Sequence, residues 1–161
     1  MIRRLSVDMS LESYISGYVD GEGCFTISFS RRLKMKTGWE VKPSFSVSQN
    51  ENRAQVLKLM QRYFGCGSIR RDYSDKTLKF ETRNLQNLLR KIIPHFQKFP
   101  LLSEKRRDFL FFARVCKLVA KKKHLTASGL KQITKFAFQM NPGSKRKYTK
   151  ADILNSLQRK I

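Results

Sequence analysis

Leu11-Glu12-Ser13-Tyr14-Ile15-Ser16-Gly17-Tyr18-Val19-Asp20-Gly21-Glu22-Gly23-Cys24-Phe25 is where one hydrophobic period hands over to another. Leu11, Tyr14, Ile15, Tyr18 and Val19 fall at i, i+3, i+4, i+7 and i+8, which predicts a helix over residues 10–21 with Ser10 as its N-cap. From Cys24 onwards the period is two. Asp20 and Glu22 stand among glycines at the junction. Carboxylates held at a backbone kink are candidate ligands for a hard cation such as Mg²⁺, which takes one or two carboxylates and completes its shell with water and substrate phosphate. The alternative is that both simply cap backbone at a helix-to-strand turn, and these residues alone do not decide between the two. Ser13, Gly17 and Gly21, each four apart, form a second stripe along the same helix. Small residues at that spacing let another helix backbone approach closely. Glycine inside a helix costs roughly 1 kcal/mol, so a helix–helix contact is favoured over a helix lying tightly on its own sheet.

The charge balance narrows the partner. Lys and Arg total 34 against 12 Asp and Glu, a formal charge of +22 over 161 residues. Such an excess costs self-repulsion and favours nucleic acid or an anionic membrane. No apolar run is long enough to span a bilayer, and Met1-Ile2-Arg3-Arg4-Leu5-Ser6 lacks the apolar core of a secretory signal. No helix is basic on one face and bulky-apolar on the other along its length, so nucleic acid is preferred to a membrane surface. Cys24, Cys66 and Cys116 are odd in number and widely spaced. This argues against a disulfide framework or a zinc site and for an intracellular, reducing compartment: cytoplasm, nucleoid or organelle. His95 and His124 lack partners at ligand spacing and read as surface or phosphate-facing groups.

The chain reads as a short arm over residues 1–9 and one domain over 10–161, with a core to about 120 and a helical extension beyond. Phe25, Ile27 and Phe29 alternate with Thr26, Ser28 and Ser30; Val41, Pro43, Phe45 and Val47 alternate with Glu40, Lys42, Ser44, Ser46 and Ser48. These predict two half-buried strands, with Pro43 marking a gap or edge in the pairing. A helix is expected from Asn52 to Phe64, stopped by Gly65. A hairpin follows, Ser68 to Tyr73 and Thr77 to Thr82. A short helix around Leu85, Leu88, Leu89, Ile92 and Ile93 is expected to end at Pro94. A longer helix spans Leu102 to Ala120, and two more cover 128–139 and 149–160.

The strand faces carry polar groups in phase. The first hairpin offers Ser28, Ser30, Arg32, Lys34, Glu40, Lys42, Ser44 and Ser46; the second offers Ser68, Arg70, Asp72, Thr77 and Lys79. A two-stranded ribbon fits the major groove, and these side chains include the donors and acceptors base edges require. Acidic Glu40 and Asp72 suit acceptance from cytosine amino groups. An ordinary solvated face alternates too; the basic excess decides for groove binding. Lys121-Lys122-Lys123-His124, and Lys145 and Lys147 about Arg146, suit phosphate contacts, which position without specifying.

Residues 15–23 resemble the LAGLIDADG motif of homing endonucleases, and the element order α-β-β-α-β-β-α is that family's, over most of residues 11–120. The departures are Ser16, Tyr18, Val19 and Gly21 for the usual small or apolar residues, and Glu22 for the last Asp. The last keeps the carboxylate and adds a methylene. The resemblance implies an α+β fold with a saddle-shaped antiparallel sheet. It also implies a site-specific double-strand DNA endonuclease hydrolysing phosphodiester bonds with Mg²⁺ or another divalent cation such as Mn²⁺. Glu22 would be the metal-binding acid, joined by the Gly21 carbonyl. Gln49 would order the attacking water, and Arg53 and Lys105 would flank the scissile phosphate, with Lys98 the fallback for Lys105. Asp20 would be a helix-end and interface group. One motif per chain implies a homodimer packed on Ser13, Gly17, Asp20 and Gly21, cutting a long pseudo-palindromic DNA site. No membrane or small-molecule substrate enters this expectation. The competing reading keeps the fold and nucleic-acid binding without cleavage, as an intron maturase or transcriptional regulator.

Overall fold

The computed structural model describes residues 9–158. The expected arm before Met9, and the last helix beyond residue 158, lie outside the described residues. Helix α1 (Leu11–Glu22) starts at Ser10, whose side chain accepts from the Ser13 amide. Strand β1 (Gly23–Arg31) follows with no loop between. That abrupt change needs glycine: a Cβ on Gly23 would lie 2.5 Å from Val19 Cγ1 and 2.8 Å from the Val19 carbonyl oxygen. Strand β2 (Trp39–Asn50) leads through a 3-10 turn (Glu51–Arg53) to α2 (Gln55–Phe64). Helix α2 therefore opens later than the apolar pattern predicts. It ends at Gly65, which takes the left-handed conformation at φ +57°, where a side chain is disfavoured.

Strands β3 (Ser68–Asp72) and β4 (Thr77–Thr82) complete an antiparallel sheet in the order β1-β2-β4-β3. Phe45 is the first β2 residue, in chain order, to pair with β4. Pro43 sits opposite Ile27 of β1, and the Ile27 carbonyl points outward to Arg146. Directly opposed antiparallel residues share one orientation, so the missing Pro43 N–H falls on the side that β4 does not reach. The expected gap at Pro43 is there, and it leaves no donor unsatisfied.

The next helical stretch corrects an expectation. Helix α3 (Leu85–Asn87) passes through a π turn (Leu88–Ile92) into α4 (Ile93–Lys98), so Pro94 does not end it. The Ile93 amide donates to Leu88 O, five residues back. The widened turn accommodates a ring that would break a regular helix. Helix α5 is Lys105–Ala120, three residues shorter at its start than expected; α6 is Ala127–Ala137 and α7 is Lys150–Gln158.

The helices cover one sheet face. Phe25 lies at the centre, 5.1 to 5.4 Å ring to ring from Phe45, Phe112, Phe109 and Phe96. Such aromatic pairs add to the burial of apolar area that holds the layers together. The extension closes the flank. Trp39 is fully buried, donates from Nε1 to Ser156 Oγ on α7 (2.8 Å), and meets the edge of Tyr148. Strand β1 is a sheet edge, and its outward carbonyls are used: Asn141 Nδ2 donates to Phe25 O (2.8 Å) and Arg146 Nη1 to Ile27 O (2.9 Å). Side-chain donors thus take the place of a further strand.

Candidate functional site

Helix α1 is fastened on one side. Ser16 Oγ donates to the Phe99 carbonyl (2.7 Å) and lies 3.1 Å from His95 Nε2; His95 Nδ1 lies 2.9 Å from the Tyr63 hydroxyl. With the Ser16 proton on Phe99, His95 donates from Nε2 and accepts from Tyr63 at Nδ1, so one neutral tautomer satisfies all three groups. Burial pushes His95 down to about 4, against the opposing pull of Glu12. His95 is therefore a core group, not the surface or phosphate-facing one expected. Its signal in the sequence was weak, since only the tertiary fold brings Ser16 and Tyr63 to it.

One turn on, the Asp20 carboxylate accepts from the Leu102 amide (3.0 Å), the Ser103 amide (3.0 Å) and the Ser103 hydroxyl. Burial alone would raise the Asp20 carboxyl, but the Ser103 and Leu102 hydrogen bonds hold it below its usual range. This also explains why α5 opens at Lys105: residues 102 and 103 are wrapped on Asp20. The residue expected at an interface is held by its own chain.

Lys105 then reaches back to the end of α1. Its Nζ donates to Val19 O (3.1 Å) and Gly21 O (3.4 Å). Lys98 instead lies over the Phe99 ring. Glu22, the last residue of α1, is exposed and makes no hydrogen bond or ion pair among the described residues. Tyr18 is one turn before Glu22 on the same helical face, and Gln49 Nε2 donates to its hydroxyl (2.5 Å) while Gln49 Oε1 accepts from the Asn50 amide (2.8 Å). The amide of Gln49 is thereby oriented beside the end of α1. Tyr18 was not picked out as a site residue. Arg53 is exposed in the 3-10 turn after β2.

The donor set at this end, a free carboxylate and a backbone carbonyl, is all oxygen and suits a hard divalent cation. No group of three His, Cys, Asp or Glu that could hold a metal occurs among the described residues. Ser13, Gly17 and Gly21 are exposed, and a Cβ on Gly17 or Gly21 would meet nothing within 4 Å. Nothing among the described residues therefore requires these two glycines. Leu102 beside this stripe is 89% exposed.

The sheet face away from the helices is polar from edge to edge. Register places Ser28 opposite Lys42, Ser30 opposite Glu40, Arg70 opposite Lys79, and Asp72 opposite Thr77. A concavity of about 310 Å³ is lined by Thr26, Ser28, Lys42, Ser44, Lys79 and Arg83, among others. Several expected readers differ in placement. Arg32 and Lys34 belong to the loop before β2, not the strand. Ser44 and Ser46 are buried, and Ser44 donates to Glu81. Glu40 is not a bare acceptor: Arg32, Lys42 and Ser30 all surround it. Asp72 accepts from the Ser74 amide and hydroxyl, and Thr77 donates to Asp75, so both shape the β3–β4 turn. Ser28 and Ser68 remain exposed. Lys145 and Lys147 are exposed in the loop beside β1, across a cavity of about 460 Å³ from Thr26 and Ser28. Glu81, Arg83, Thr26 and Ser48 were overlooked. Their signal was present, for they continue the alternation already noted.

A family model described as LAGLIDADG endonuclease matches residues 15–116. A probable intron-encoded endonuclease of Neurospora crassa is 33% identical over 132 residues, 81% of this chain and 29% of that protein. The chain thus spans roughly a quarter to a third of the length of several curated relatives that it matches. Among solved structures, the homing endonuclease I-TnaI is 34% identical with a TM-score of 0.81, covering 95% of this chain and 100% of that one. The archaeal intron-encoded homing endonuclease I-Vdi141I, complexed with DNA, has a TM-score of 0.84 at 26% identity, covering 92% and 95%.

Proposed function

Because the chain belongs to the LAGLIDADG endonuclease family, we propose that it is a homodimeric, divalent-metal-dependent endonuclease that cuts double-stranded DNA at a long pseudo-palindromic site. The observation that carries this reading is the end of α1. Glu22 is free there, the Gly21 carbonyl is 3.4 Å from Lys105 Nζ, and the whole lies where α1 runs into the polar sheet. Glu22 and the Gly21 carbonyl would hold Mg²⁺ or Mn²⁺. When bound, such an ion lowers the pKa of water and stabilises the leaving oxygen of an in-line displacement. Lys105 is anchored on two carbonyls, which leaves its third N–H to meet a phosphate oxygen. Gln49, oriented by Tyr18 and the Asn50 amide, supplies a fixed amide for the attacking water. Arg53 adds a cation at the next turn. Asp20 holds the α5 start, and with it Lys105, in place.

Dimerisation through Ser13, Gly17 and Gly21 completes the site. Two Glu22 carboxylates brought close repel unless cations separate them, which ties assembly to metal binding. The strand faces of two copies then lie across two half-sites of one duplex, with Lys145 and Lys147 on phosphates. The free thiols of Cys24, Cys66 and Cys116 fit a reducing compartment. Burial raises all three, Cys116 to about 12, which makes them poor nucleophiles at neutral pH. The experiment is cleavage of a randomised plasmid library with and without Mg²⁺, by the wild type and by Glu22→Gln. Metal-dependent double-strand cuts at one sequence, lost in Glu22→Gln with binding kept, are expected. Equal cutting by the variant would sink the mechanism.

A further inference from the structure

The polar strand face has a nearly buried acid at its centre with no part in the reading above. Glu81 is 8% exposed, with Ser46 of β2 on one side and Ser68 of β3 on the other. Its Oε1 accepts from Ser44 Oγ (3.2 Å) and Arg83 Nη2 (3.1 Å), with Lys79 Nζ at 3.8 Å; its Oε2 pairs with Arg70 Nη2 at 3.1 Å. The Arg70 and Arg83 side chains are 55% and 61% exposed. Each is thus pinned at one nitrogen, and the others have no hydrogen-bond partner among the described residues. Glu40 makes a looser version of the same arrangement at the outer end of the sheet, with 26% of its side chain exposed.

A carboxylate in the middle of a phosphate-binding face weakens attraction for every DNA sequence alike. What it supplies in return is direction. An untethered guanidinium turns to the nearest phosphate, which carries no sequence information. A guanidinium held by one nitrogen keeps its remaining donors for a pair of acceptors on a base edge, such as guanine O6 and N7. We infer that Glu81 is a positioning residue for sequence discrimination. It holds Arg70 and Arg83 toward base edges and lowers non-specific affinity at the same time. This rests on the DNA-reading function proposed above and assigns its central specificity element to an acid. Ser44 belongs to the same device, since its hydroxyl fixes the carboxylate plane.

Binding-site selection from random duplexes, with affinities for selected and random DNA at several salt concentrations, tests it on the full chain. Glu81→Gln keeps the shape and removes the charge. It should raise affinity for random duplex and steepen the salt dependence by about 0.9 per freed cation. Discrimination at the base pairs under Arg70 and Arg83 should fall about tenfold. Glu81→Asp keeps the charge and retracts it by one methylene. It should raise random-duplex affinity less than Glu81→Gln does while discrimination still falls, and it decides the matter if Glu81→Gln fails to fold by circular dichroism. An unchanged selected sequence in the folded variants, or equal random-duplex affinity for Gln and wild type, overturns the assignment. A wild type that selects no sequence overturns the parent reading with it; a selecting wild type with an equally selective variant overturns this one alone.

Discussion

The two sides of α1 are built on opposite terms. One side is tied to the rest of the chain at Ser16, Tyr18, Val19 and Asp20, through His95, Phe99, Gln49, Lys105, Leu102 and Ser103. Other groups on the helix are left bare: the stripe Ser13, Gly17 and Gly21 has open space above its glycines, and Glu22, on the face it shares with Tyr18, has no partner among the described residues. Asp20 and Glu22 are two residues apart and chemically alike, yet one is saturated and the other free. A carboxylate that already accepts several hydrogen bonds is a structural clamp. One with none is available to a cation. The tied side sets where α1 stands, so that the bare side can meet something outside the chain.

The sharpest way to break this contrast is to neutralise each carboxylate in turn. Glu22→Gln should abolish DNA cleavage and leave the melting temperature unchanged. Asp20→Asn should do the reverse in kind, lowering stability while retaining measurable cutting. If Asp20→Asn alone abolished cutting in a fully folded protein, the roles would need to be exchanged.

Acid should loosen the tied side first. Burial depresses His95 from 6.5 to about 4, so the unfolded chain binds the extra proton at higher pH than the folded one. The neutral form therefore favours the fold fully above pH 6.5. That contribution, about 3 kcal/mol, is lost as pH falls from 6.5 to about 4 and does not change further below that. Urea unfolding of wild type and His95→Gln between pH 7 and 4 should show the wild type losing more stability over this window. Parallel curves would place His95 outside the clamp.

The bare side is probed by filling it. Gly17→Leu should overpack a helix–helix contact at a cost of about 1–3 kcal/mol, giving monomers by sedimentation with no double-strand cutting. Because a Cβ there meets nothing among the described residues, the folded monomer should keep its circular dichroism spectrum. A dimeric, active Gly17→Leu would remove the stripe from the interface. The smallest effect concerns stability alone: Asp20→Asn should cost about 1 kcal/mol, the low end for charge-assisted bonds near the surface, measured by denaturant titration at neutral pH. No loss would mean that Leu102 and Ser103 hold their places without Asp20.

Much of this was legible in the chain order. The change of period at Gly23 gave both the helix and the strand, because local sterics and alternation act within a few residues. The same phase placed Ser28, Lys42, Arg70 and Lys79 on one face, and the family pattern singled out Glu22. Pro94 misled because its effect depends on the turn before it, and a π turn has no sequence signal of its own. His95 misled for a different reason: an imidazole with one neutral tautomer needs two partners, and Ser16 and Tyr63 are 79 and 32 residues away.

The sequence by itself determined the cationic character, the strand faces, the small-residue stripe and the carboxylate at its end, since periodicity and composition are properties of neighbours along the chain. Only the tertiary structure decided that Asp20 is clamped and Glu22 free, that Lys105 and not Lys98 reaches the Gly21 carbonyl, and that Glu81 gathers Arg70 and Arg83. Those are facts about which donor meets which acceptor. Hydrogen bonds and ion pairs act over about 3 Å, and the residues that make them are brought within that distance by packing, not by their order in the chain.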